Sequence, residues 1–305
     1  MSNPLVSIVL AAYNGERYIR QQLDSIIEQS YKPIEILVID DCSTDNTPAI
    51  LKEFATHNEN VKVVKNETNL GYVKNFEKGM LLAKGDYIAP CDQDDVWNPE
   101  KISILMRERS EYPIIYCNSE LIDEDGNFMD KKLSDIKRLD DFNDPLNYTI
   151  GGSAPGHAMI VRKSVVLAAT PLPLFVPHDY WIAFVATFSG PLKFLDTPLV
   201  FYRQHGTNVF GAIKVTGKKR SEKSKEDNYL AARERIKLLY EKCPATMQQK
   251  DVFYQLYKSY QSFSLENNWK RMVVFFKYRK QILAFKRRST FRQWLFCLKM
   301  FFIIK

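Results

Sequence analysis

The stretch at residues 84–101, KGDYIAPCDQDDVWNPEK, decides how the rest of the chain is read. Its apolar start, Asp86-Tyr87-Ile88-Ala89, has the composition of a strand, and it delivers Asp92, Asp94 and Asp95 onto one short turn. Asn98-Pro99-Glu100 then carries the marks of a helix start: a capping side chain, a proline and an acid in the first turn. Carboxylates this close repel one another unless a positive charge sits among them. A hard divalent cation with oxygen ligands supplies that charge, and a diphosphate can complete its shell. A solvated acidic loop beside a capped helix is the plainer alternative.

Upstream, residues 5–10 form an almost wholly apolar run, suited to a strand buried on both faces of a parallel sheet. Ala11-Ala12-Tyr13-Asn14-Gly15 ends it, and helical spacing follows over 17–29. A second buried strand at 34–39 ends in Asp40-Asp41, and the helix after it carries Ile50, Leu51 and Phe54. A third strand at 61–64 and a helix over 73–83 lead back to the Asp86 strand. The first 110 residues therefore predict an α/β fold, a parallel sheet with helices on its faces. Ligands of such sheets lie beyond the carboxyl ends of the strands, where Tyr13-Asn14, Asp40-Asp41 and the acidic turn all fall. No G-x-G-x-x-G follows the first strand and no G-x-x-x-x-G-K-[ST] occurs, so dinucleotide and P-loop readings lose their main support. Asp40 or Asp41 can accept from a base N–H with Tyr13 beside the ring. Equally, the acid pair can cap the next helix and Tyr13 can be an amphipathic rim residue.

Downstream, Ile114-Ile115-Tyr116-Cys117 reads as a short strand, and residues 129–148 show little periodicity. The glycine-rich loop before His157 permits either tight backbone packing or close approach of a ligand. Pro177-His178-Asp179-Tyr180-Trp181 puts Asp179 near the start of an apolar helix, as a cap or as a reactive carboxylate. A carboxylate so placed can serve as a general base. Tyr202-Arg203-Gln204-His205-Gly206 follows a strand, and a cation beside an imidazole there suits a diphosphate or a metal complex. The lysine-rich residues 214–227 read as a loop able to close over a ligand.

The net charge of +7 hides an asymmetry. Residues 214–305 hold 23 Lys and Arg against 7 Asp and Glu, leaving 20 basic and 29 acidic residues before them. This basic tail is also aromatic, which favours a membrane surface over nucleic acid. A helical bundle packed on the rest of the chain, or on a second subunit, is the alternative. No apolar run reaches the ~20 residues of a spanning helix, and no basic-then-apolar leader opens the chain. Five cysteines without metal-ligand or framework spacing read as reduced thiols, and a cytoplasmic location is expected.

Val6-Ser7-Ile8-Val9 through Tyr13-Asn14, Val38-Ile39-Asp40-Asp41-Cys42-Ser43-Thr44-Asp45, Asn69-Leu70-Gly71, Lys84-Gly85-Asp86-Tyr87-Ile88 and Asp92-Gln93-Asp94 resemble successive motifs of family 2 inverting glycosyltransferases with the GT-A fold. The likeness is strong over residues 4–110 and readable to about 211. Asp92-Gln93-Asp94-Asp95-Val96-Trp97, with the later His178 and Arg203 motifs, is similar to rhamnosyltransferase-like members of bacterial surface-polysaccharide pathways. Cys42 stands where Gly or Asn is common, and Ala11 where Thr is frequent.

The resemblance implies a catalytic domain over 1–213, with a nucleotide-sugar half to residue 110 and an acceptor half after it, then a helical extension over 214–305. It implies donor contacts from Ala12, Tyr13, Asp40, Asp41, Asp92 and Arg203, and a Mg²⁺ or Mn²⁺ site at Asp94 with His205 as a candidate ligand. Asp179 becomes the base, with Trp97, Gly156, His157, His178 and Trp181 toward the acceptor. The expected reaction is metal-dependent, inverting sugar transfer, with rhamnose from dTDP-rhamnose favoured, onto a polyisoprenoid-linked glycan. The expected setting is the inner face of the cell membrane, with a nucleotide-diphosphate sugar as partner, no nucleic acid and a possible homo-oligomer. A sugar-phosphate nucleotidyltransferase, for which Asn14-Gly15-Glu16-Arg17 makes a poor phosphate loop, and a non-catalytic glycan-binding protein are the other classes.

Overall fold

Four parallel strands form the first half of a nine-stranded sheet in the computed structural model, which describes residues 3–152, 154–206, 225–286 and 289–302. They are β1 (Val6–Ala12), β2 (Ile34–Asp40), β3 (Val61–Lys65) and β4 (Tyr87–Asp92), joined by helices α1 (Ile19–Ile27), α2 (Thr47–His57) and α3 (Tyr72–Leu82). The central pair, β1 and β2, is buried almost throughout, as its continuous apolar runs predict. Helix α3 packs so closely on this sheet that a Cβ on Gly79 would lie 2.4 Å from Val9 Cγ1. After the acidic turn come β5 (Val96–Trp97) and α4 (Lys101–Glu108). Asn98 Oδ1 accepts from the Glu100 N–H at 2.9 Å, but this bond closes a turn ahead of the helix, which begins at Lys101 with Glu100 as its cap residue, two residues later than the sequence signal predicts.

The second half is mixed. Its strands are β6 (Ile114–Ile122), β7 (Phe128–Lys132), β8 (Met159–Arg162) and β9 (Lys193–Arg203). The order is β3-β2-β1-β4-β8-β6-β9-β5, with β7 on β6. β8 is antiparallel to both β4 and β6, whereas β9 runs parallel to β6 and antiparallel to β5. The Val96↔Phe201 pairing brings the far side of the acidic turn back to the end of β9. Residues distant in sequence, Asp94 and His205, meet there as a result.

Residues 129–148 look irregular in sequence because they are built from short pieces, including α5 (Leu133–Ile136) and a 3₁₀ turn, Pro145–Tyr148. They are nonetheless packed: Leu133, Leu139, Phe142, Leu146 and Tyr148 are all buried. Helices α6 (Lys163–Ala169) and α7 (His178–Ala186) follow.

The C-terminal residues form α8 (Lys225–Lys242), α9 (Gln249–Ser259), α10 (Leu265–Lys277), α11 (Arg279–Ile282) and α12 (Thr290–Lys299). Ile236, Leu239, Phe253, Phe275 and Leu283 share one core cluster with Tyr148 and Phe184, and the Phe184 and Phe253 rings lie 5.9 Å apart. The fully buried Arg271 sits over the Tyr260 ring at 4.2 Å and anchors α10. These helices therefore share the core of the sheet's second half. Among the described residues no helix is long and apolar enough to cross a membrane. Residues 207–224, which hold most of the expected closing loop and the 213/214 boundary, lie outside the described residues.

Candidate active site

A cavity of about 940 Å³ opens at the carboxyl ends of β1, β2 and β4, lined on its other sides by the start of α7, the 151–157 loop and one face of α8. Ala12, the last residue of β1, lines it, and the Ala12 carbonyl accepts from the Asp41 N–H at 2.8 Å. The next residue, Tyr13, is about half exposed, and its backbone is pinned by the Gln93 side chain: Tyr13 N–H donates to Oε1 at 2.8 Å and Nε2 donates to the Tyr13 carbonyl at 3.0 Å. An amide two-way clamp of this kind fixes an exposed ring at the cavity edge.

Asp41 lines the cavity but uses both oxygens internally. It accepts from Asn66 Nδ2 and from the Leu70 and Gly71 N–H groups at 2.7–2.9 Å, which shapes the Asn69-Leu70-Gly71 wall. Asp40 is buried and does not line the cavity; its Oδ1 accepts from the Ser43 N–H at 3.1 Å, which ties it to the turn. Cys42 has φ +66°, the left-handed region that favours Gly or Asn. The departure from the family at this position is thus a side chain tolerated in a strained turn.

The acidic turn gathers two kinds of partner. Asp94 Oδ2 and His205 Nε2 lie 2.8 Å apart at the cavity wall. Below them, Asp92, Asp95 and His157 each offer a ligand atom, all within 4.8 Å of one another. Asp92 faces the cavity, and burial of its surroundings, then the charges of Asp94 and Asp179, push its pKa up to about 7. Asp95 is fully buried and pushed well above the usual carboxylate range, first by burial, then by Asp94 and Asp92. Its Oδ1 accepts from the Arg203 N–H, while Oδ2 has no partner among the described residues.

Lys101, buried beneath the turn, supplies one compensating charge. Its ammonium donates to the His157 carbonyl at 2.5 Å and lies 3.0 Å from the Trp97 ring centroid, and burial lowers its pKa to about 8. This lysine carries no ligand-binding signal in the sequence; only its position two residues after Pro99 hints that it points inward. Burial also holds His157 well below its ordinary pKa, so its imidazole is neutral, bonded to Ser119 Oγ at 3.0 Å.

Arg203 requires a correction. It is 1 % exposed and does not line the cavity. Its guanidinium donates to the backbone carbonyls of Asp94, Asp123 and Glu124 and to Gln21 Oε1, so it clamps the acidic turn from behind. Trp97 and Trp181 are likewise core residues, the latter donating to the Ala169 carbonyl at 2.8 Å, and neither reaches the cavity. Gly156, His157 and His178 do line it.

Asp179 faces the same cavity from the first turn of α7. Its oxygens accept from the Tyr180 N–H at 2.7 Å and the Gly156 N–H at 3.3 Å. Helix α7 and the 3₁₀ turn at Gly156–Ala158 together hold this carboxylate on the wall of the same cavity as the acidic turn, near enough for its charge to act on Asp92. Lys137, from the segment without periodicity, and Arg235, from α8, complete the wall; sequence reasoning assigned neither to the site.

A strand-end acidic turn and a helix-borne carboxylate line one cavity of an α/β fold, and the comparisons with known proteins give its family. The family described as Glycosyl transferase family 2 matches residues 7–167, more than half of the chain, and the chain belongs to that family as a glycosyltransferase. An uncharacterised glycosyltransferase of Haemophilus influenzae is 24 % identical over 93 % of this chain and 94 % of its own length. TuaG of Bacillus subtilis, named for a glycosyltransferase of teichuronic acid biosynthesis, is 34 % identical over 49 % of this chain; the chain spans 60 % of TuaG. Among solved structures, Staphylococcus aureus TarS 1–349 in complex with UDP-GlcNAc is similar, with a TM-score of 0.59 and 21 % identity over 92 % of this chain and 78 % of that one. The fold is accordingly GT-A-like, with C-terminal helices added.

Proposed function

We propose that this glycosyltransferase moves a sugar from a nucleotide diphosphate to a hydroxyl of a cell-surface polysaccharide precursor, inverting the anomeric centre with a divalent ion in attendance. The observation that carries this reading is the shared cavity of the Asp92–Asp94 turn and Asp179. The base and ribose belong beside Tyr13 and Asp41, and the diphosphate beside Asp92 and Asp94.

The residues present fit a divalent ion: Asp92, Asp95 and His157 offer ligand atoms within 4.8 Å of one another, and Asp94 Oδ2 and His205 Nε2 lie 2.8 Å apart where the same turn meets the cavity wall. Asp94 with His205, next to Asp92, would hold Mg²⁺ or Mn²⁺. When bound, the ion supplies positive charge against the diphosphate leaving group. The rest falls to the chain itself. Asp179 accepts the proton of the attacking hydroxyl, with the Gly156 and Tyr180 N–H groups fixing its orientation. A single base opposite the leaving group gives one displacement, hence inversion. Rhamnose from dTDP-rhamnose is the favoured donor, on the likeness of the DQDDVW, HDYW and YRQHG motifs.

The exposed face of the C-terminal helices supports a membrane setting and, with it, a polyisoprenoid-linked acceptor. Leu265, Trp269 and Val273 on α10 and Phe291, Trp294, Leu295 and Leu298 on α12 are exposed, at helical spacing. The Phe276–Trp294 ring contact at 5.1 Å joins the two stripes, and Lys270, Lys277, Arg292 and Lys299 flank them. Aromatic and basic side chains on one face suit the interface of an anionic bilayer. The test is a thermal-shift screen of UDP-, GDP- and dTDP-sugars with and without Mn²⁺, followed by analysis of product stereochemistry. Stabilisation that needs both nucleotide and Mn²⁺ supports the reading; a retained anomeric configuration in the product overturns inversion.

A further inference from the structure

Two cations, Lys137 and Arg235, face a cavity whose other charged side chains are the acids Asp41, Asp92, Asp94 and Asp179. Lys137 caps the end of α5, and Arg235 lies one helical turn after Ala231 on the face of α8 that meets the cavity. Both stand on the Asp179 side. Loss of water around Lys137 lowers its pKa, and the one carboxylate acting against that is Asp179. The charges acting on Asp92 are those of Asp94, Asp179 and Lys101, so Lys137 belongs to the surroundings of the base and not to those of the acidic turn. Arg235 donates from Nε to the Thr149 carbonyl at 3.3 Å, and its charge acts on Tyr180, the residue after Asp179.

Both cations keep donors available. The Lys137 ammonium has no hydrogen bond or ion pair among the described residues, and of the Arg235 guanidinium only Nε is engaged there. Just past Thr149 the chain runs through Gly151 and Gly152, with φ +134° and +140°, a conformation that favours glycine. A Cβ on Gly151 would lie 3.0 Å from the Phe285 ring, and one on Gly152 3.3 Å from the Asn147 carbonyl. Bare backbone therefore forms this part of the cavity wall, and its two N–H groups donate to no described residue. Cationic donors beside unpaired backbone N–H groups are the chemistry that holds an oxyanion.

We propose that Lys137, Arg235 and the Gly151-Gly152 backbone bind an acidic group of the acceptor, a phosphate or a carboxylate, so that the enzyme takes an anionic acceptor and brings its hydroxyl to Asp179. The donor diphosphate has its own place beside Asp92 and Asp94, which leaves this cradle to the second substrate. The acceptor role rests on the proposed function, whereas the anion site is read from the cavity alone.

The experiment follows binding of methyl phosphate, methyl glucuronoside and methyl glucoside by ligand-observed NMR, with and without UDP and Mn²⁺. It uses the full chain and its Lys137→Met, Arg235→Gln and Arg235→Lys variants. At least one charged probe should bind well above methyl glucoside and stay bound when UDP and Mn²⁺ are present. Lys137→Met and Arg235→Gln should each weaken it by roughly tenfold, Arg235→Lys by less, with UDP affinity unchanged throughout. A preference for methyl phosphate assigns the group to a phosphate-bearing chain, and one for the glucuronoside to an acidic sugar. Equal binding of all three probes, no binding, or charged-probe affinity that survives both charge-removing variants overturns the inference. So does displacement of the probe by UDP and Mn²⁺ with a matching loss of UDP affinity in the variants, which makes the pair a diphosphate clamp. Failure of the proposed function would appear separately, as a chain that holds the charged probe but shows no Mn²⁺-dependent nucleotide binding.

Discussion

The acidic turn and the start of α7 present carboxylates to one cavity, but they are held in opposite ways. At the turn, Asp92, Asp94 and Asp95 crowd together, and two of them are driven toward their neutral forms by burial and mutual repulsion. At α7, Asp179 stands alone with backbone N–H groups on both oxygens. Crowded acids call for a cation; a single acid oriented by two backbone N–H groups is suited to the role of a general base. The difference separates leaving-group support from base chemistry within one fold.

That contrast can be broken by substitution. Asp94→Ala should reduce turnover below detection and abolish Mn²⁺-dependent nucleotide binding together, measured by product formation and calorimetry. Asp179→Asn should lower kcat by about 10²–10⁴ while donor affinity stays near wild type; equal losses in both would make Asp179 structural. Replacing Phe291, Trp294 and Leu298 by Gln should leave the catalytic rate on a soluble acceptor unchanged, yet release the protein from phosphatidylglycerol vesicles in a sedimentation assay.

Two smaller effects sharpen the same comparison. Arg203→Met strips charge-assisted hydrogen bonds from three backbone carbonyls and should destabilise the protein by about 2–4 kcal/mol, read by chemical denaturation. The pH dependence has a definite sign. The buried surroundings of Asp92 and the charges of Asp94 and Asp179 push its pKa up to about 7 in the folded chain, against the ordinary value of about 4 when unfolded. The folded state therefore binds more protons at Asp92 across that window, so the Asp92 contribution to metal-free stability should fall as pH rises from about 4 to 7, against the rising contribution of the buried, neutral His157 and His178. Asp92→Asn should flatten that slope, and Mn²⁺, which prefers the ionised carboxylate, should bind more tightly as pH rises through it.

Much of this was legible in the sequence, for physical reasons. Strands β1 and β2 are short apolar runs buried on both faces, and their polar ends mark the rim whatever the tertiary detail. Asp179 could be placed at a helix start because Pro177 fixes where α7 begins. The second half was harder. Whether Arg203 faces a ligand or a neighbouring loop depends on the β5–β9 pairing, which no local pattern encodes. Residues 129–148 lack a period because they are assembled from pieces too short to show one. The contribution of Arg235 depends on α8 packing against the cavity instead of leaving the domain as a separate tail. A basic, aromatic composition describes only the outer face of those helices, whereas Phe253 and Phe275 belong to the core.

The most direct test is an anomalous-scattering map of crystals grown with Mn²⁺ and UDP or dTDP. A manganese peak within coordination distance of the Asp94 carboxylate, touching the diphosphate on the side of the cavity facing Asp179, is the predicted result. A nucleotide bound at Tyr13 and Asp41 with no metal at Asp94, or with the metal elsewhere, would contradict the account.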